Sequence, residues 1–94
     1  MTQEDPGVRL KRLRYRAHHR GMKEVDLILG PFADAHLANL AADELDAFER
    51  LLDIPDQEIY AWVAGEAQPE AALGDTLIGV IRTIKLSARR SWTS

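Results

Sequence analysis

Apolar residues recur at helical spacing along most of this chain, and this periodicity limits its fold more than any other feature. They stand three or four positions apart, whereas alternating strand patterns of useful length are missing. The 94 residues are enough for one domain with a single modest core. We therefore predict an all-α fold, a compact bundle of about five short helices in a single helical domain, 1–94. The predicted core residues are Leu10, Leu13, Ala17, Val25, Ile28, Leu29, Phe32, Leu45, Phe48, Leu51, Leu52, Ile59, Trp62, Val63, Leu73, Leu77, Ile81 and Ile84.

Glycine, proline and capping residues set the predicted helix boundaries. We expect Gly21 to stop the first helix in a left-handed conformation and Asp56 to cap the fourth. Pro31 lies inside the second helical pattern and should kink or split that helix near Leu29 and Gly30, because proline removes a hydrogen-bond donor. The polar tail 88–94 is predicted to be flexible. The predicted helices are 8–19, 22–38, 43–53, 57–64 and 70–87.

Charge is strongly segregated along the sequence. Residues 1–20 hold six basic and two acidic side chains, and residues 21–79 hold thirteen acidic and two basic ones. Residues 80–94 hold four basic side chains and no acidic one. This pattern indicates either ends that pack near the acidic middle or two charged docking faces.

The basic first helix is also compatible with nucleic-acid binding, since its arginines could contact phosphates and Tyr15 could stack on a base. The acidic body, the net charge of −3 and the lack of a recognition helix after a helix-turn-helix turn oppose this. We therefore expect a solvated face that pairs with the chain's own acids, and no nucleic-acid partner.

Residues that could carry catalysis are scarce or badly placed. The chain has no cysteine, which excludes thiol nucleophiles and thiolate zinc sites. Its three serines, Ser87, Ser91 and Ser94, lie at the C-terminal end, where a preorganised nucleophile is hard to build. Adjacent His18 and His19 point about 100° apart on a helix and cannot ligate one metal together. The glycines form no dinucleotide fingerprint or P-loop, so we predict no enzyme and no catalytic, cofactor-binding or metal-binding residue.

The N-terminal residues and the hydropathy bear on location. The first six residues are acidic and lack the basic start and apolar run of a secretory signal. No apolar stretch approaches the ~20 residues that span a bilayer. We expect a protein of the bacterial cytoplasm that does not insert into a membrane, although an organelle protein without its presequence would look the same.

The segment Arg20–Asp26 is the most distinctive local feature. Gly21 could simply stop a helix, with Arg20 complementing the preceding helix dipole and Glu24 and Asp26 the following one. Alternatively, the missing side chain at Gly21 leaves the backbone open to close approach by a partner, and the flanking charges supply orientable hydrogen bonds. Local physics leaves both interpretations open.

This segment and the residues after it, as far as Gly65, resemble the FAD assembly factor family of succinate dehydrogenase, also called succinate dehydrogenase assembly factor 2. The family pattern is R-G-M-x-E-x-D, then an apolar run, then F-E-x-L-L, then D-x-x-[apolar]-x-x-W-x-x-G. The spacing agrees from about residue 10 to residue 65, roughly two thirds of the chain. The matching residues are Arg20, Gly21, Met22, Glu24, Asp26, Leu27, Ile28, Leu29, Phe32, Phe48, Glu49, Leu51, Leu52, Asp56, Ile59, Trp62 and Gly65.

The resemblance implies a small helical bundle that binds the flavoprotein subunit of succinate dehydrogenase, and often that of fumarate reductase. There it promotes covalent attachment of FAD to a histidine of the subunit, without itself holding FAD stably. R-G-x-x-E is the functional motif of the family, so Arg20, Gly21 and Glu24 carry over as partner-binding residues. Met22 and Asp26 match as well, and we predict that they too bind the partner. The pattern leaves open which flavoprotein is the client.

A regulatory interaction module such as an antitoxin is the alternative for a chain of this size and charge pattern. The discriminating feature is the intact motif from Arg20 to Glu24, which an unrelated toxin-neutralising bundle has no reason to share. Departures from the family pattern are modest. Val25 replaces a commoner leucine, and the third helix lacks the frequent Ser or Thr cap, a loss of about 1 kcal/mol.

Overall fold

A computed structural model describes residues 4–92, with side chains from residue 4 to residue 90. Within that range there is no strand, and the predicted all-α bundle of about five helices is confirmed. No helix in the described range combines the length and apolar character needed to cross a membrane. The α-helices are α1 (Pro6–His18), α2 (Lys23–His36), α3 (Ala42–Leu51), α4 (Asp56–Ala64) and α5 (Asp75–Trp92), with 3₁₀ turns at Leu37–Asn39 and Ala71–Leu73.

The apolar stripes meet in one core, in which α5 packs against α2, α3 and α4 while α1 packs against α2. Phe32 and Phe48 lie at its centre, with ring centroids 5.8 Å apart. Every predicted core residue is buried except Leu10, Leu45 and Leu73, which are partly buried and pack against the cluster. The helical periodicity therefore identified most of the core, but it missed the buried residues Ala33, Leu37, Ala47, Val80 and Ala88.

The first two helices depart from their predicted bounds. α1 begins at Pro6 because the Asp5 carboxylate accepts the N–H groups of Gly7 and Val8, at 3.0 and 3.3 Å. We expected Pro31 to kink or split the second helix near Leu29 and Gly30; α2 runs unbroken through Pro31, so the split is wrong. Pro31 and the residue four positions before it are both exposed, so water can replace the hydrogen bond that proline removes.

The C-terminal third differs most from the prediction. The helix expected over 70–87 begins only at Asp75, because Gly74 has a φ of 91° that a right-handed helix cannot accommodate. The tail expected to be flexible continues α5 as far as Trp92, and Ala88 is buried in the core. Residues 93–94 of that prediction lie outside the described residues. Other helix ends shift by one or two residues.

The basic α1 lies along acidic side chains from the middle of the sequence. Arg9 and Arg12 both bind Glu49, at 2.8 and 3.0 Å. Burial acts to raise the pKa of Glu49, but the hydrogen bonds from the two arginines outweigh it and hold that pKa below its ordinary value. Further pairs join Arg9 to Asp46, Arg12 to Glu4, Arg14 to Asp34 and Arg16 to Asp53. The charge segregation of this segment thus reflects intramolecular pairing.

Candidate docking site at the corner between α1 and α2

Arg20 ties the corner between α1 and α2 to the connection between α3 and α4. Its guanidinium donates to the carbonyl oxygen of Leu52 at 2.7 Å and to that of Ile54 at 3.1 Å. These carbonyls follow the last turn of α3, where backbone acceptors lack intrahelical partners and the helix dipole favours a cation. The Arg20 side chain is only 11% exposed. Its charged group is therefore engaged within the molecule.

Asp56 completes the attachment from the start of α4. The expectation that it is the N-cap is wrong, because Pro55 holds that position and Asp56 is the first helical residue. Its Oδ1 accepts Arg20 Nε at 2.7 Å, and its Oδ2 accepts the Met22 N–H at 3.0 Å. The carboxylate thus binds the residues on both sides of Gly21. The Arg20 guanidinium and the Met22 N–H attract it more strongly than the N–H groups at the start of α4 do.

The remaining inward-facing residues of the motif fix the backbone of the same corner. Asp26 accepts the backbone N–H of Arg20 through Oδ1. Met22 is the residue before α2, and its carbonyl accepts the N–H groups of Val25 and Asp26, while its side chain packs against the core. Arg20, Met22 and Asp26 therefore hold the corner in shape.

Gly21 is exposed, and nothing in the fold demands a glycine there. Among the described glycines, Gly65 and Gly74 have a left-handed φ and Gly21 does not. The expected left-handed helix stop at Gly21 is therefore wrong. α1 ends instead through His19, with φ −125° and ψ 58°. A Cβ on residue 21 would meet Asp56 Oδ2 at 3.7 Å, an ordinary contact, and no other described atom within 4 Å. The bare backbone at this corner faces outward.

Glu24 and Leu27 continue the exposed side of the corner onto α2. Within the described residues, the Glu24 carboxylate has no hydrogen bond or ion pair. Leu27 is 64% exposed, and a residue three positions after Glu24 lies on the same helix face. We call Gly21, Glu24 and Leu27 the outer corner surface. It combines open backbone, an unpaired carboxylate and an apolar side chain.

Leu27 was not among the predicted site residues, although the sequence contained a signal for it. The buried stripe of α2 consists of Val25, Ile28, Leu29 and Phe32, which leaves an apolar residue at position 27 on the opposite side. Leu27 therefore lies exposed beside the charged segment from Arg20 to Asp26.

Most of the histidines and arginines on α1 and directly after it have partners within the part of the chain that the structure describes. Residues 4–90 contain no group of three or more His, Asp or Glu side chains placed to hold a metal ion. His18 binds Asp34 at 3.0 Å, and His19 stacks on Tyr15 with ring centroids 3.8 Å apart. The arginines of α1 that could have contacted phosphates are paired with carboxylates, which leaves that helix little free charge for a nucleic acid.

Comparison with known proteins places this geometry in context. A family model described as the flavinator of succinate dehydrogenase matches residues 11–85. A protein called FAD assembly factor SdhE from Acetobacter pasteurianus is 35% identical over 65 residues, covering 69% of this chain and 60% of that protein. The mitochondrial succinate dehydrogenase assembly factor 2 of Debaryomyces hansenii is 43% identical over 61 residues, covering 65% of this chain and 43% of the relative.

The same named factor from Mycosarcoma maydis is 48% identical over 54 residues, covering 57% of this chain and 23% of the relative. The chain therefore spans less than two thirds of the length of each of these relatives. No solved structure matches it.

Proposed function

This chain belongs to the family of flavinators of succinate dehydrogenase, and from that premise we propose that it binds the flavoprotein subunit of succinate dehydrogenase and promotes covalent attachment of FAD there. The flavoprotein subunit of fumarate reductase is a second client to be tested in parallel. Family membership favours this function over the antitoxin alternative. The outer corner surface is the docking site in this proposal.

The observation that carries the proposal is the contrast between Gly21 and its neighbours. Arg20 and Asp56 fix the corner through a 2.7 Å ion pair. Neither the backbone conformation nor the packing at position 21 requires a glycine, however. The glycine of the family motif is therefore not explained by the fold of this chain. A partner that approaches the backbone of Gly21 closely is the simplest explanation for it.

The contacts divide the motif into positioning residues and docking residues. Arg20 acts as a positioning residue, since its guanidinium is spent on Asp56 and two carbonyl oxygens. Glu24 offers its free carboxylate to a basic group of the client, and Leu27 offers apolar area. A corner that is rigid before binding loses little conformational entropy when the partner arrives.

We propose that the chain supplies no catalytic group and is not an enzyme. The flavin and the client's own residues carry the chemistry of attachment. Binding to a flavin-loaded but unattached conformation of the client would hold it in the reactive geometry, which raises the rate through a population shift. The chain need not hold FAD stably or contact a nucleic acid for this role.

We place this activity in the bacterial cytoplasm, without insertion into a membrane. The absence of cysteine suits a reducing compartment, and one of the relatives is a bacterial protein.

The test is covalent flavin fluorescence of the client subunit in a denaturing gel. The subunit is expressed alone, with the unaltered chain, and with Glu24→Gln, which keeps the shape of the side chain but removes its charge. We expect a fluorescent band that requires the unaltered chain and weakens with Glu24→Gln. The matched control is Glu70→Gln, which neutralises an exposed carboxylate between α4 and α5 and should leave the band unchanged.

Equal bands with and without the chain would overturn the proposal for that client. A band that needs the chain but is insensitive to Glu24→Gln would keep the assembly function and remove Glu24 from the docking site.

A further inference from the structure

A second surface feature lies between the end of α4 and the middle of α5. Trp62 and Ile81 are nearly buried there, at 8% and 4% exposure, and the half-buried Pro69 and Ile78 add apolar area. Two cationic side chains complete the lining. We call this feature the α4–α5 notch; its main lining residues are Trp62, Pro69, Ile78, Ile81, Arg82 and Lys85.

The size of the notch restricts what it can hold. Its volume is about 130 Å³, whereas pockets for small molecules and cofactors occupy roughly 300–1,000 Å³. A cofactor as large as a dinucleotide does not fit. A single side chain from a partner is an occupant of suitable size.

The charge of the notch indicates the chemistry of that side chain. Neither Arg82 nor Lys85 makes a hydrogen bond or ion pair with any residue between 4 and 92. In α5 the sole acidic residue is Asp75, at its first position, so no carboxylate of this helix offsets them. By contrast, the arginines of α1 and its C-terminal corner, at positions 9, 12, 14, 16 and 20, are all paired with carboxylates.

Lys85 reaches the end of α4. Its Nζ lies 3.4 Å from the point where a Cβ on Gly65 would stand. Gly65 ends α4 with a φ of 82°, and the missing side chain leaves room for the ammonium group at the negative end of that helix. A cation beside an indole and an isoleucine suits a carboxylate with an aliphatic stem, because the ammonium group donates to the carboxylate while the apolar side chains cover the stem.

We propose that the α4–α5 notch receives a glutamate or aspartate side chain of the client flavoprotein subunit, as a second point of contact beside the outer corner surface. This inference rests on the proposed function. Asp56 at the start of α4 fixes the corner, and Trp62 lies six residues later, about 9 Å along the helix. This axial separation is smaller than the width of an interface of ordinary size, which buries about 800 Å² per partner.

The test measures the dissociation constant for the FAD-loaded client subunit by isothermal titration calorimetry at a fixed salt concentration. The notch variant is Arg82→Gln combined with Lys85→Gln. The control is Lys11→Gln, which removes one exposed cation of α1 that has no partner among the described residues, so that effects are compared per charge removed. Loss of buried charge pairing should weaken binding by about ten-fold or more in the notch variant, with less than about a two-fold change in the control.

A photo-crosslinking amino acid at position 78 gives an independent measure. Ile78 is half-buried and lines the notch, so its crosslinked client peptide should contain an acidic residue. Mass spectrometry of the crosslinked complex identifies that peptide, and a peptide without an acidic residue would contradict the inference.

The outcomes separate the two proposals. If Gly21→Arg abolishes binding while the notch variant binds like the unaltered chain, the notch inference is overturned and the proposed function stands. Equal weakening by Lys11→Gln would indicate diffuse charge attraction and would also overturn it. If the unaltered chain does not bind the client at all, both proposals fall together.

Discussion

Arg20 and Asp56 lie 36 positions apart in sequence and form a 2.7 Å ion pair between Nε and Oδ1, with both side chains largely buried. The pair joins the start of the glycine-containing motif to the first residue of α4. Asp56 also binds the Met22 N–H, so one carboxylate determines the path of the chain on either side of Gly21. The pattern that begins at Arg20 and the pattern that begins at Asp56 are separate in sequence, but in the fold they form one structural unit.

Replacing Asp56 by alanine should destabilise the bundle by about 2–4 kcal/mol, because a largely buried guanidinium and a backbone N–H lose their acceptor. Urea denaturation followed by circular dichroism measures the change. The matched control is Asp53→Ala, since Asp53 pairs with Arg16 at 2.8 Å but its side chain is 73% exposed. That exposed pair should contribute less than about 1 kcal/mol. Equal losses from the two substitutions would contradict the structural role of Asp56.

The sequence predicted the helices and the core well because both depend on local apolar periodicity. It also pointed to the segment from Arg20 to Asp26. It could not show that Arg20 turns inward, because that depends on carbonyl oxygens of Leu52 and Ile54 that only the folded chain brings near. The N-cap prediction for Asp56 failed for the same reason: local propensity suggests a cap, and a tertiary contact prevails.

A second prediction concerns the crossing of α1 and α2, where the His18 ring occupies the space beside Gly30. A Cβ on residue 30 would lie 2.6 Å from His18 Nδ1, so Gly30→Ala forces the ring away and disturbs its 3.0 Å contact with Asp34. Alanine is otherwise better than glycine inside a helix by about 1 kcal/mol. Gly30→Ala should therefore change the free energy of unfolding more favourably in a His18→Ala background than in the unaltered chain, by about 1 kcal/mol or more. Additive effects in denaturation of the double variant would refute this coupling.

The stability of the chain should fall in acid, in part through Glu49. Burial acts to raise its pKa, but hydrogen bonds from Arg9 and Arg12 bring the folded-state pKa below the ordinary value of 4.5. A carboxyl group with a lowered folded-state pKa stabilises the fold above its unfolded pKa, and this contribution is lost as the pH falls through the folded pKa. Between pH 7 and pH 3, the free energy of unfolding should therefore drop more for the unaltered chain than for Glu49→Gln. Parallel pH profiles would exclude a contribution from Glu49.

Leu27 should contribute to docking and not to folding. It is 64% exposed, so Leu27→Ala should change the free energy of unfolding by no more than about 0.5 kcal/mol. If a partner covers it, the lost apolar contact should weaken binding by about 1–2 kcal/mol, roughly 5- to 30-fold in Kd. Calorimetry with the client subunit measures this. Val8→Ala is the control, since Val8 is 53% exposed near the start of α1; similar effects of both substitutions would argue against a specific role for Leu27.

Gly21 gives the sharpest separation of docking from folding. A Cβ at this position meets one oxygen at 3.7 Å and needs no change of backbone conformation, so Gly21→Ala should alter stability by less than about 1 kcal/mol. Gly21→Arg projects a long side chain from an exposed corner and should also fold normally. Both variants should nevertheless bind the client less well, with the arginine abolishing binding because a partner cannot then approach the backbone. Circular dichroism tests folding of the two variants, and calorimetry on the same samples tests their binding to the client. Loss of helical signal in Gly21→Arg would instead make the glycine a requirement of the fold, and normal binding by both variants would remove the corner from the interface.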